Sequence, residues 1–305
     1  MRFRVCVVAL TMIGIARLTA QDAMPRTAWG DPDLEGVWLS ANVDQTPFQR
    51  PADNDDTALR IELIESGAFE RTRGDVESIV QYEKQAIAEW RLQHPLLTSL
   101  VIDPADGRMP AMTAEARRRI MDAWKTTWTY DGPWNSAEDF GPDERCISRG
   151  VLGSMLPSAD HGAIQIVQAP GIVTIRTEAI HEARVIPIDA PPHAGAQVRS
   201  YMGDPRGFWD GDALVIETTN FNGRTGARGN GNDLPTSPTL HVTERFTPAG
   251  RERIDVQITI DDPGTWVAPW TVAFPLSRST DYEITEYACH EANAPFIRTA
   301  LGGSR

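Results

Sequence analysis

Six histidines are spread along the chain, and their neighbours decide which of them can move a proton. His94 precedes Pro95 and His193 follows Pro191-Pro192, which places both in loops. In Tyr282-Glu-Ile-Thr-Glu-Tyr-Ala-Cys-His-Glu291, a period of two puts Ile284, Glu286, Ala288 and His290 on one strand face, with Tyr287 and Cys289 on the other. A carboxylate and an imidazole sharing a barrel face can exchange a proton, the more so if burial raises the Glu pKa. His181-Glu-Ala-Arg184 adds a second imidazole and a cation. His181, Glu286 and His290 are therefore the candidate acid/base groups, with Arg184 and Arg245 to stabilise developing negative charge. The segment His241-Val-Thr-Glu-Arg-Phe246 places His241, Thr243 and Arg245 on one face and Glu244 on the other. Glu244 and Arg245 join Arg184 as candidate ligand contacts. The competing reading for each of these residues is a structural hydrogen bond or an ion pair at a barrel end.

Nine tryptophans give a second line of argument, since large rigid rings can line a cavity or simply fill it. Trp266 and Trp270, flanked by Pro263 and Pro269, read as a loop rim and are candidate ligand contacts, as are Trp209 and Asn293. A rival chemistry is a metal-dependent hydrolase using His181, His241, His290 and a carboxylate. No HxH, HExxH or paired-cysteine spacing supports it, so no metal is expected. Asp53-Asn-Asp-Asp56 reads as a solvated turn. Gly226-Ala-Arg-Gly-Asn-Gly-Asn232 has no lysine and opens no helix, so it is not a phosphate loop. A lid over residues 220–238 at a barrel mouth suits it better. The only lysines are Lys84 and Lys125, which argues against Schiff-base or pyridoxal chemistry. No G-x-S-x-G elbow is present. The chemistry expected is free of an organic cofactor.

Elements that would position these residues follow from periodicity. Val76, Ile79, Val80, Ile87 and Trp90 recur at helical spacing, and a second helix starts at Thr113 to bury Ala116, Ile120, Met121 and Trp124. From about residue 160 the period falls to two. Strand-like runs are expected around 164–167, 173–176, 182–188, 198–202, 212–219, 240–247, 254–260, 271–277 and 282–289. Ala169-Pro-Gly171, Trp209-Asp-Gly-Asp212 and Pro248-Ala-Gly250 supply turns between them. Eight to ten short strands in succession predict a mainly β protein, an antiparallel barrel whose closure removes its edges. Gly36-x-Trp38 would add the first strand, making about 57–128 a helical insertion into one domain spanning 21–305.

The N-terminal stretch MRFRVCVVALTMIGIARLTA has the basic end, short apolar core and small-residue cleavage site of a secretory signal. Cleavage after residue 20 would remove three arginines and no acid, taking the formal charge from −13 to −16, with 26 basic against 42 acidic residues. A surface of that sign repels phosphate backbones, so no nucleic-acid partner is expected. No later apolar run is long enough to span a membrane. The expected location is periplasmic or secreted. Cys146 and Cys289 alone then remain, and an even count in an oxidising compartment favours a disulfide over two buried thiols or a nucleophile.

The run Gly203-Asp-Pro-Arg-Gly-Phe-Trp-Asp-Gly-Asp-Ala-Leu-Val-Ile-Glu-Thr-Thr-Asn-Phe221 resembles a family of secreted bacterial proteins, mostly of unassigned function. Pro32-Asp-Leu-Glu-Gly-Val-Trp38, Asp261-Asp-Pro263, Pro269-Trp270 and Glu286-Tyr-Ala-Cys-His-Glu-Ala-Asn293 are similar to its other landmarks. More loosely, Gly36-x-Trp38 before a meander resembles the calycin barrels, the lipocalin-like group. The resemblance implies a fold and no particular activity. The expected function is an exported isomerase/cyclase, lyase or hydrolase acting on a small organic molecule held in a barrel. A non-catalytic carrier of a small apolar ligand is the alternative. The two separate on one criterion: a carrier's interior polar groups satisfy one another, whereas a catalyst leaves an imidazole and a carboxylate facing the cavity.

Overall fold

Alternation of buried and exposed residues along the strands sets the architecture of the computed structural model. It describes residues 25–40, 48–50, 99–127, 134–157, 162–228, 231 and 233–302. The stretch expected to be a secretory signal, the helical pattern expected over residues 76–90, His94, His161 and Asp53–Asp56 lie outside the described residues. Twelve strands are described: β1 (Gly36–Leu39), β2 (Val101–Asp103), β3 (Ile164–Ala169), β4 (Ile172–Thr177), β5 (Ala183–Pro187), β6 (Asp204–Asp210), β7 (Ala213–Thr219), β8 (Gly226–Arg228), β9 (Asp233–Pro235), β10 (His241–Pro248), β11 (Arg253–Asp261) and β12 (Trp270–Ser279). Helices α1 (Ala114–Thr127), α2 (Gly150–Met155) and α3 (Cys289–Ala300) accompany them.

Nine strands follow one antiparallel path, β5-β4-β3-β1-β12-β11-β10-β7-β6. Its two ends meet where Ile188 bridges Gly207 and the Asp189 N–H donates to the Gly207 carbonyl at 2.9 Å. The protein is thus mainly β, a nearly closed antiparallel barrel consistent with the calycin-like expectation. β2 adds to the outside of the path against β12, and β8 pairs with β9 as a separate hairpin. The expected turns fall where their glycines require, with Gly171 (φ +74), Gly211 (φ +64) and Gly250 (φ +88) linking β3–β4, β6–β7 and β10–β11.

Inward positions carry the core: Ile254, Val256, Ile258 and Ile260 of β11 face Val272, Phe274 and Leu276 of β12 and Val242 and Phe246 of β10. Trp38 of β1 is 1 % exposed, donates its indole N–H to the Leu34 carbonyl, and lies under the Arg278 guanidinium 4.4 Å from its ring centre. Gly36 makes this possible, because a Cβ there would collide with that guanidinium. Helix α1 starts where the sequence places it. The Thr113 hydroxyl accepts the Ala116 N–H at 3.1 Å, and Ala116 and Ile120 are buried.

Two expected strands are not strands. Residues 198–202 are irregular apart from a single bridge, Ser200 to Phe221, and β6 begins two residues later. Residues 282–288 are irregular and lead into α3 at Cys289. A strand needs a ladder partner, and the two edges that could have accepted one are closed on each other at Ile188 and Gly207. No described helix is long and apolar enough to cross a membrane.

Candidate functional site

The register fixes one end of the barrel. Thr177 opposite Ile164, Ala183 opposite Arg176, Thr219 opposite Asp204, His241 opposite Asp261 and Trp270 opposite Ile260 all lie at the same rim. The connections 178–182, 220–240 and 262–269 and the segment holding α2 gather there. All six residues of α2 are buried, so this short helix stops the end of the barrel.

Inside the barrel, two sequence candidates meet. The Arg184 guanidinium donates from Nη1 to Glu244 Oε2 at 2.5 Å and from Nη2 to Oε1 at 2.9 Å, with the residues 3 % and 0 % exposed. Arg184 is on β5 and Glu244 on β10, with β6 and β7 between them. Each group satisfies the other, so the pair is a structural cross-tie rather than a ligand contact. Trp266 and Trp270 are core residues, not a rim. They are 1 % and 0 % exposed and pack edge to face at 5.2 Å. The cause is Asp262, whose buried carboxylate accepts from the Ser237 N–H (2.7 Å) and the Thr265 hydroxyl (2.6 Å), while its carbonyl takes the Trp266 N–H. That folds 262–266 inward. Trp209 is half-buried against the core, and Arg245 is paired outside the barrel with Asp210 at 2.8 Å. Asn293 donates to the Glu144 carbonyl (2.9 Å) and tightens the join between α3 and the 143–146 segment.

The expected acid/base set does not face the barrel interior. His181, Glu286 and His290 are all exposed. His181 sits in a tight turn with φ +47, beside Ile180 at φ +57. Glu178 pins this turn by accepting from the Tyr282 hydroxyl (2.6 Å), the Thr285 N–H (3.0 Å) and hydroxyl (2.9 Å), and the Ala163 N–H (3.1 Å). Burial pushes the Glu178 carboxyl up, but these bonds outweigh it and hold the pKa below its ordinary value, while Tyr282 is raised by the same contact. Glu286 and His290 ride on the segment that Tyr282 and Cys289 tie to the outside of the barrel. With no ladder to impose alternation, they share no inward face. The disulfide is present, joining Cys146 to Cys289 with Cα atoms 5.8 Å apart.

A cleft of about 440 Å³ opens at the stopped end, and its lining includes Glu138, Phe140, Arg145, Tyr201, Arg224 and Pro235. Local structure explains each position. The Asp139 carboxylate accepts the Asn135 (2.6 Å) and Ser136 (3.0 Å) N–H groups, forming the turn that carries Glu138. Phe140 is stacked on Trp134 at 5.2 Å and edged by Phe296 at 6.0 Å. Arg145 precedes the disulfide at Cys146, whose φ is +56. Tyr201 follows Ser200, which is bound to Asn220 and Asn222 through the backbone. Asn222 accepts the Arg224 N–H at 3.0 Å, and the β8–β9 hairpin closes the wall. Of the glycine-rich stretch expected to form a lid, Gly226–Arg228 is β8, one strand of this hairpin. Among the described residues, no hydrogen bond or ion pair engages the side chains of Glu138, Arg145, Tyr201 or Arg224, and Arg145 Nε is buried without a partner.

Behind the cleft floor is a satisfied network. The Arg149 N–H donates to Glu182 Oε2 (3.1 Å), and its guanidinium binds Asp143 Oδ1 (2.7 Å) and the Tyr287 hydroxyl (3.1 Å). Burial raises the Glu182 pKa, an effect opposed by the Ser148 hydroxyl, the Arg149 N–H and the charges of Arg184 and Arg149. His193, read from sequence as a loop residue, has Nδ1 3.4 Å from the Asp204 carboxylate. Burial raises the Asp204 pKa, but the Ala194 N–H, Arg206 and His193 outweigh it and hold it low. Among the described residues, no group of three His, Cys, Asp or Glu side chains is placed to hold a metal ion.

No protein-family model, curated protein or solved structure matches the chain. The site therefore rests on its own geometry. The cleft residues were missed because they come from four separated stretches between 138 and 235 with no shared spacing. The one signal that pointed there was the glycine-rich segment before Asp233.

Proposed function

We propose that this is an exported barrel protein that takes up a small organic molecule in the cleft at its stopped end and carries it without transforming it. The observation that carries this reading is a cleft with unengaged polar side chains around otherwise apolar walls, whose lining contains no histidine. Its volume lies within the roughly 300–1,000 Å³ of small-molecule sites, which are mostly apolar with a few convergent polar groups. The mutual satisfaction of Arg184 and Glu244 supports a carrier over catalysis inside the barrel.

One specific observation favours a second reading. The Glu138 carboxylate and the Tyr201 hydroxyl border the same cleft, both unengaged, and together they could exchange a proton with a bound molecule. The chain would then be a cofactor-independent isomerase, lyase or hydrolase, with its chemistry in the cleft and not at His181, Glu286 and His290.

Binding of the neutral fluorophore N-phenyl-1-naphthylamine to the mature chain and to Pro235→Trp tests the proposal. The bulky ring should fill the cleft and weaken binding at least tenfold. Equal affinity in the two proteins would overturn the assignment of the cleft. Conversion of a bound compound to a product, abolished by Tyr201→Phe at unchanged affinity, would replace the carrier with the enzyme.

A further inference from the structure

Six described arginines have no side-chain hydrogen bond or ion pair: Arg117, Arg176, Arg251 and Arg298 lie elsewhere on the protein, whereas Arg145 and Arg224 line one cleft. Both fully buried guanidiniums, Arg149 and Arg184, hold a carboxylate. Arg206, Arg245 and Arg253 do so at the surface, and Arg119, Arg199 and Arg278 donate to backbone carbonyls. Arg145 and Arg224 do neither, although the chain has 42 acidic residues against 29 basic ones. In a protein of that sign, two unpartnered guanidiniums lining one cleft run against the general charge. Arg145 is also half-buried, with Nε out of contact with solvent and without an acceptor. Leaving a buried charged donor unmade is costly, and an anionic oxygen supplied from outside would relieve that cost with a charge-assisted bond.

The nearby acids leave the guanidiniums available. The Asp139 carboxylate is occupied by the N–H groups of Asn135 and Ser136. Glu138 is exposed on the rim and pairs with neither arginine. Asp143, two residues before Arg145, is taken by Arg149. The same lining includes Phe140, fixed between Trp134 and Phe296, and the rings of Pro142, Tyr201 and Pro235.

We infer that the cleft's ligand is an organic anion with an apolar, ring-sized body. Its carboxylate, sulfonate or phosphate group is held by Arg145, with Arg224 assisting from the rim, and its body lies against Phe140 and Tyr201. This rests on the cleft being the binding site and adds the ligand's chemical class. A guanidinium presents a planar fork of donors that an ammonium lacks, so Lys should substitute poorly for Arg145.

Two probes with the same anilinonaphthalene skeleton separate the claims: 1-anilinonaphthalene-8-sulfonate, which is anionic, and N-phenyl-1-naphthylamine, which is neutral. Their affinities are measured for the mature protein and for Arg145→Gln, Arg145→Lys, Arg224→Gln and Pro235→Trp. Circular dichroism and the absence of free thiols check each fold. Arg145→Gln should weaken the sulfonate probe at least tenfold and the neutral probe less than twofold. Arg224→Gln, an exposed change with little bearing on folding, should weaken the sulfonate probe three- to tenfold. If Pro235→Trp weakens both probes while neither glutamine variant affects the sulfonate more than twofold, the cleft stands and the anionic class is wrong. If Pro235→Trp changes neither probe, the cleft assignment and this inference fall together.

Discussion

Arg184 and Glu244 lie 60 residues apart on strands that are not neighbours, yet they form two hydrogen bonds to each other inside the barrel. The pair therefore reports on closure: it can form only when β5 has come round to the β6–β7–β10 side.

Removing one partner leaves the other charge buried and unpaired, which costs about 3–5 kcal/mol. Glu244→Ala and Arg184→Ala should each lower the urea midpoint accordingly. The double replacement Arg184→Met/Glu244→Leu should recover most of the loss, since an apolar pair restores packing without burying charge. A double variant as unstable as the sum of the single ones would mean that the ion pair has no special coupling.

The Cys146–Cys289 bridge closes a loop with a sequence separation of 143, and in the loop-entropy model a loop of that length contributes about 4–5 kcal/mol. Helix α3 has no buried residue of its own, so its attachment leans on the bridge, on Asn293 and on Phe296. Thiol titration of the unfolded, unreduced protein should find no free thiol. Reduction should release α3 before the barrel unfolds, seen as early proteolysis within residues 280–302. Loss of the whole fold in one step would contradict this order.

Two glutamates on one turn should respond to pH in opposite directions. Glu178 has a depressed pKa in the fold, so its stabilisation is present above the unfolded value of about 4.5 and is lost as pH falls through the folded value. Glu182 has a raised pKa, so it adds nothing below about 4.5 and costs stability as pH rises through its folded value. Melting temperatures between pH 3 and 7 should show Glu178→Gln losing stability mainly at the neutral end. Glu182→Gln should gain it there and match the parent in acid. The same pH profile for both variants would refute the assignment.

Much of the barrel was legible because a half-buried strand must alternate. Val242, Glu244 and Phe246 fall on one face in sequence and in space. Alternation separates Glu244 from His241 and Arg245 but says neither which face points inward nor what Glu244 meets there, so its partner was not foreseen. In Tyr282–Cys289 the same alternation misled, because a ladder partner is what turns the pattern into a strand. Trp266 and Trp270 were misread for a related reason. Prolines around them mark a turn, and only the Asp262 hydrogen bonds reveal that the turn folds inward. The cleft was illegible because Arg145, Tyr201 and Arg224 share no spacing. What unites them is the absence of a partner, which exists only in three dimensions.

Closure depends on a missing side chain. A Cβ at Gly207 would lie 2.7 Å from Ile188 Cδ1 and 2.9 Å from Ile186 Cγ2, at the seam where β5 meets β6. Nothing in the Gly207 backbone demands glycine, since its φ is not positive, so the constraint is space alone. Overpacking of this kind costs about 1–3 kcal/mol. Gly207→Ala should destabilise the barrel by about that amount, and Ile188→Ala, which vacates one of the two contacts, should make the change at Gly207 cheaper. A double-mutant cycle in urea measures the coupling, which should be at least about 0.5 kcal/mol in favour of the pair. Strict additivity would show that the seam has slack and that Gly207 is not what lets the barrel close.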